Sequence, residues 1–233
     1  MFFCVFPAHT GNIKHVADSH KTGEKKMKVL LVNGSPNKEG CTYTALCEIA
    51  GALKKNGIES EIFHIGTNPI SGCMACISCF KSGKCAVNDC VNDFAAMTKT
   101  ADGFIFGSPV HFASATGGLT SFMDRLFFSN MRRAFRGKPA AAIVSCRRGG
   151  ATASFDQLNK YFSISQMPIV TSQYWNMVHG HTPEDVKKDL EGLQTMRALG
   201  NNMAWLLKCI QAGKESGVTL PEPEERIITN FIR

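Results

Sequence analysis

The segment from Lys28 to Leu46 restricts the possible folds more than any other part of the chain. Val29 to Val32 is a short apolar, partly β-branched run, the pattern of a strand buried on both faces of a parallel sheet. It stops at Asn33-Gly34-Ser35-Pro36. Gly34 can take a positive φ, and Pro36 fixes a turn while removing a ladder donor. Gly40 then precedes Cys41-Thr42 and a helical pattern carrying Leu46, Ile49, Ala50 and Leu53. A strand, a polar loop and a helix start gather free N–H groups, short hydroxyls and a positive helix end around one point, which makes an anion site. The loop has no G-x-G-x-x-G and no Gly-Lys-Ser/Thr ending, so neither the dinucleotide fingerprint nor a triphosphate loop applies. A phosphate monoester held mainly by neutral donors suits it; a plain strand–helix connector is the competing reading.

The alternation continues down the chain. Strands are predicted at Ile58–Ile65, Gly103–Gly107, Ala140–Ser145 and Ile169–Ser172, and helices at Thr42–Lys55, Phe94–Thr100, Leu119–Phe128 and Ser154–Phe162. Thr182-Pro183-Glu184-Asp185 opens a long helix expected to reach about Ala212, with a hydroxyl cap, proline in the first turn and acids at the positive end. Five strands alternating with helices predict a doubly wound α/β fold, a five-stranded parallel sheet with helices on both faces. Ligands in such folds sit at the carboxyl ends of the strands, at the switch point beside the first. That rule draws together the loops after the first, third and fourth strands.

Gly34-Ser35-Pro36 followed by Gly40-Cys41-Thr42 resembles the phosphate loop of the NADPH-dependent FMN reductase-like branch of the flavodoxin-fold proteins. Within that branch the chain resembles the iron–sulfur flavoproteins, over roughly residues 27–215. The resemblance implies a flavodoxin-like domain that binds FMN, with the phosphate on Ser35, Pro36, Asn37, Gly40, Cys41 and Thr42. Pro109, Val110, His111 and Phe112 match the second flavin loop, where the family often has tyrosine at the position of His111. Arg147, Gly149 and Gly150 match the third; the glycines allow close backbone approach to the ring, and Arg147 or Arg148 would meet the phosphates of a nicotinamide cofactor. Homodimers or homotetramers with flavins near subunit interfaces are implied as well. Cys41 reads as a small packing residue rather than a nucleophile.

Ten cysteines are many for a chain of 233 residues, and four crowd into Cys73-x2-Cys76-x2-Cys79-x5-Cys85. Such crowding points to metal or redox chemistry rather than a disulfide framework. Thiolates suit an iron–sulfur cluster or zinc, and plain thiols are a third possibility. The spacing resembles the compact motif of iron–sulfur flavoproteins, which implies a four-iron cluster. Its place after the second strand predicts a position at the ligand edge of the sheet.

The expected organisation is a loose extension over 1–26, a domain over 27–215 with a cysteine-rich insert at 71–90, and an arm over 216–233. A net charge of +7 favours anionic cofactors. No basic stripe interleaved with aromatics argues for nucleic acid, and no apolar run is long enough to span a bilayer; the reading is cytoplasmic. The functional expectation is an FMN-dependent NAD(P)H oxidoreductase passing electrons to a small-molecule or redox-protein acceptor. The alternatives are an iron–sulfur flavoprotein that exchanges single electrons with a ferredoxin-like partner, and a non-redox zinc or interaction module.

Overall fold

The computed structural model describes residues 26–130, 134–225, 227–229 and 231. The extension expected over 1–26 therefore lies outside the described residues apart from Lys26. The first half of the chain forms β1 (Lys28–Asn33), α1 (Cys41–Lys55), β2 (Glu59–His64), α2 (Cys79–Ser82) and α3 (Cys90–Met97). A hairpin of β3 (Gly103–His111) and β4 (Ser114–Ala115) leads into α4 (Gly117–Ser129). Then come β5 (Ala140–Cys146), α5 (Ala151–Ile164), β6 (Met177–His179), α6 (Pro183–Val186) and α7 (Leu190–Glu215).

Five strands pair in parallel in the order β2-β1-β3-β5-β6, and β4 folds back antiparallel on β3. The period of two along each strand divides the core into two layers. Leu30, Val32, Phe104, Phe106, Ala142 and Val144 face α3, α4 and α5. Val29, Leu31, Ile105, Ala141 and Ile143 face α1 and α7. Both layers are fully buried, which is why these strands read as continuous apolar runs. Helices α1 and α7 approach closely at Gly200, where a Cβ would stand 2.7 Å from the Ala52 Cβ.

Two expectations are corrected. The fifth strand is Met177–His179, not Ile169–Ser172; Ile169 makes only an isolated bridge to Ala140 before the chain leaves the sheet. The helix beginning at Pro183 is two helices, because Asp189 caps a second start by accepting from the Gly192 N–H at 2.9 Å. The third strand also runs four residues past Gly107. Among the described residues no helix is long and apolar enough to cross a membrane.

Candidate functional site: three loops at the sheet edge and a cysteine cavity

The loop after β1 is fixed from three sides. Gly34 donates its N–H to the Gly107 carbonyl at 2.8 Å and accepts from the Thr116 hydroxyl at 3.0 Å. Gly34 does not take a positive φ. Glycine is needed there because a Cβ would stand 2.8 Å from the Gly107 oxygen and 2.8 Å from Leu119. The buried Asn33 side chain accepts from the Ser35 N–H and donates to the Lys38 carbonyl, joining the two ends of the loop. His64 Nε2 lies 2.8 Å from the Ser35 carbonyl; a carbonyl only accepts, so that nitrogen carries the proton.

Helix α1 starts from Gly40 in extended geometry, with no side-chain cap and no acid in its first turn. The N–H groups of Cys41, Thr42 and Tyr43 belong to that first turn, which has no intrahelical acceptors. An uncapped, acid-free helix start beside the Ser35 hydroxyl fits a phosphate dianion. Ser35 Oγ accepts from the Asn37 N–H at 3.1 Å, which leaves its own hydrogen to donate. Thr42 differs: its hydroxyl is buried against Ser145 Oγ at 2.8 Å, so it links the first loop to β5. Cys41 sits 3.8 Å from the Gly180 carbonyl. Burial, then the charges of Asp185 and Glu184, pushes its thiol up, as suits a packing residue.

The second and third loops touch. Ser108 to His111 extend beyond the last β1 pair, Asn33 with Gly107, and turn back through Phe112 and Ala113, both at positive φ (50° and 56°). A two-residue hairpin of this hand normally takes Asn or Gly. Here Gln157 of α5 holds it, accepting from Ser114 Oγ at 2.8 Å and the Ala115 N–H at 3.0 Å. His111 and Phe112 are exposed at the tip. After β5, the buried Cys146 thiol closes a turn, accepting from the Arg148 N–H and donating to the Gly149 carbonyl. Gly150, at φ 90°, lies against the hairpin: a Cβ there would fall 2.6 Å from the Ala113 Cα. Nothing lies within 4 Å of the position a Gly149 Cβ would take. Arg147 and Arg148 are exposed beside it. An open glycine backbone next to the Pro109–Val110 wall fits one face of a flat ring.

Cys73, Cys76, Cys79 and Cys85 line one small cavity together with Arg125 and Phe128. Burial, then the charges of Cys76, Cys85 and Cys73, raises the Cys79 thiol, so all four sulfurs share one field. Bonds from Ser78 lower Cys76. Ala75 and Ile77 each hold φ 52° between the cysteines. For β-branched Ile77 that is a strained conformation, of the kind that concentrates at ligand clamps. Cys90 begins α3 and does not line this cavity. Among the described residues no group of three or more His, Cys, Asp or Glu is placed to hold a metal ion. The donor set, four cysteine sulfurs around one cavity, is of the kind that holds an iron–sulfur cluster or zinc.

Residues outside the motif organise this cavity. Arg125, almost fully buried, donates Nε–H to Cys85 Sγ at 3.2 Å, Nη groups to both Asp89 oxygens at 2.6 and 2.8 Å, and Nη2 to the Val87 carbonyl at 2.9 Å. Its bonds to Asp89 hold the guanidinium charged, against burial. Burial alone would raise the Asp89 carboxyl, but bonds from Arg125 and the Val91 N–H outweigh it and hold it below the usual range. The cavity therefore lies beside the second half of α4, nine residues and about 13 Å along the helix from Thr116.

The family model for NADPH-dependent FMN reductases matches residues 27–182. The chain belongs to this family. A relative named an iron–sulfur flavoprotein, from Methanocaldococcus jannaschii, is 34% identical over 79% of this chain and all of its own length. Flavin-dependent oxidoreductases are thus its family, and FMN is that family's cofactor. The fold is flavodoxin-like: a WrbA-like flavodoxin from Agrobacterium tumefaciens superposes with a TM-score of 0.56 at 14% identity, covering 80% of this chain and 99% of its own. An NAD(P)H:quinone oxidoreductase from Methanothermobacter marburgensis superposes with a TM-score of 0.59 at 16% identity, covering 76% and 97%.

Several residues of this family member escape motif reading. Asn33, His64, Ser145 and Gln157 position the loops without resembling ligands in sequence. Arg125 leaves a signal: one arginine within the apolar series Leu119, Phe122, Met123, Leu126, Phe127.

Proposed function

We propose that the protein is an FMN-dependent NAD(P)H oxidoreductase whose cysteine cavity would hold a four-iron cluster, a group that supplies one-electron transfer. The observation that carries this reading is the convergence of three loops at one sheet edge: the uncapped start of α1, the Ser108–Phe112 extension and the Cys146–Gly150 turn, linked by Thr42–Ser145 and by Gly150 against Ala113. Bound FMN supplies two-electron acceptance and one-electron release. Ser35 and the first N–H groups of α1 bind the phosphate. Pro109, Val110 and the Gly149 backbone orient the ring, and Arg147 and Arg148 meet the phosphates of the nicotinamide. Cys73, Cys76, Cys79 and Cys85 are the cluster ligands. No residue is assigned an acid–base role, because position and electrostatics suffice for hydride transfer to a flavin.

The pure electron-carrier reading draws on the same cavity and differs in the electron donor. Anaerobic purification decides between them. Flavin bands, rapid NADPH oxidation, and iron and acid-labile sulfide near four each per chain support the oxidoreductase. The same pigments without nicotinamide oxidation support the carrier, and a colourless protein that takes up no FMN defeats both.

A further inference from the structure

We propose that Arg125 and Asp89 act as opposed electrostatic controls on the reduction potential of the cysteine site, Arg125 favouring the reduced state and Asp89 restraining it. The proposal rests on the cluster reading above. Arg125 spends one donor on sulfur: Nε–H points at Cys85 Sγ at 3.2 Å, while the other nitrogens hold Asp89 and the Val87 carbonyl. A neutral thiol is a weak acceptor. A ligating sulfur carries charge, and a hydrogen bond to it strengthens as electron density on the site rises. The guanidinium is almost fully buried, where charge is weakly screened. Lys81 and Lys84, the other cations of this loop, are exposed and screened by water.

Asp89 sets the opposite sign. Both of its oxygens accept from Arg125 and one also accepts the Val91 N–H, so it is held as a carboxylate on the same guanidinium that donates to Cys85. Asn92 independently fixes the loop, accepting from the Cys85 N–H and donating to the Cys85 and Val87 carbonyls. Cys85 therefore has a backbone support that does not depend on the ion pair. Arg125 and Asp89 are positioning residues: neither is a ligand.

The test is a potentiometric titration of the anaerobically purified holoprotein, one electron per cluster supplied by dithionite and read by electron paramagnetic resonance. Arg125→Met should move the cluster midpoint negative and Asp89→Asn should move it positive. Each shift should be at least tenfold in electron affinity, about 59 mV for a one-electron couple. Iron, sulfide and FMN are measured in every variant, and the flavin midpoint should move less. Asp89→Asn keeps the shape and the helix-cap acceptor, so its positive shift tests the proposal even if Arg125→Met does not fold. Midpoints that move in the same direction, or stay within a tenfold change at full cluster content, overturn this proposal alone. A wild-type chain that takes up neither iron nor sulfide overturns the cluster reading and this inference with it.

Discussion

Ser35 and Thr42 look alike in sequence, two hydroxyls in one anion loop, but the structure gives them different tasks. Ser35 Oγ accepts from the Asn37 N–H at 3.1 Å and has its hydrogen free to donate. Losing a donor to a charged phosphate costs about 1.5–3 kcal/mol, so Ser35→Ala should weaken FMN binding by roughly 10- to 100-fold. Thr42 Oγ lies 2.8 Å from Ser145 Oγ in a buried site; with Thr42 as the donor, its hydrogen goes to Ser145 and not to the phosphate. Thr42→Val keeps the shape and the backbone N–H but strands the Ser145 hydroxyl, at a cost of about 1–3 kcal/mol in folding stability. At this chain length that lowers Tm by roughly 2–12 °C, while FMN affinity stays within about threefold, or ~0.6 kcal/mol. Quenching of FMN fluorescence on titration with apoprotein reads the first quantity and scanning calorimetry the second. If Thr42→Val weakens FMN as much as Ser35→Ala does, or if Ser35→Ala leaves affinity unchanged, the phosphate is not where this geometry puts it.

Gly150→Ala should cost about 2–4 kcal/mol, from the left-handed φ of 90° and the 2.6 Å approach to the Ala113 backbone. Gly149→Ala, with open space around it, should leave thermal stability unchanged in the same calorimetric scan. Gly34→Ala has no φ penalty but must push the Gly107 carbonyl or Leu119 away; about 1–3 kcal/mol of destabilisation, with loss of FMN in a spin-column assay, is expected. Asp89 has a depressed carboxyl, so its contribution to stability is present above the unfolded value of about 3.9 and is lost as pH falls through the lower folded value. Urea denaturation below about pH 4 should therefore be less pH-dependent in Asp89→Asn than in wild type.

The parts of the fold legible in sequence are those where local pattern and tertiary burial agree. The apolar runs at Val29–Val32, Phe104–Phe106 and Ala140–Val144 became central strands because both faces of the sheet are covered. Ile169-Val170-Thr171-Ser172 had better strand residues than Met177-Val178-His179, yet the latter pairs with Val144–Cys146. Three residues carry no local signal, and their strand state comes from the neighbour they meet. The break before α7 was visible in principle: Asp189 precedes Leu190 and caps Gly192, a second helix start hidden behind the stronger Thr182 capping box. Site loops were legible through their glycines and hydroxyls. Their supports were not, because the carboxamide of Asn33 or Gln157 is defined by the groups it reaches across the fold, not by its neighbours in sequence.

Helix α4 belongs to both sites. Its cap residue, Thr116, donates its hydroxyl to the Gly34 carbonyl in the loop after β1 and accepts from the Leu119 N–H. Its buried arginine, more than two turns on, fixes Asp89, Val87 and Cys85. Between these ends Leu119, Phe122 and Met123 are fully buried against the sheet, so the helix cannot slide without disrupting a close-packed layer. The spacing between the Gly34 loop and the cysteine cavity is therefore set by a rigid rod of about 13 Å, not by the long β2–α2 connection that carries Cys73 and Cys76. That connection has few buried side chains between Gly66 and Phe80 and would not hold a fixed spacing alone. Cys85 is tied to the rod through Arg125, an arginine at a position that an amphipathic helix would otherwise fill with an apolar residue.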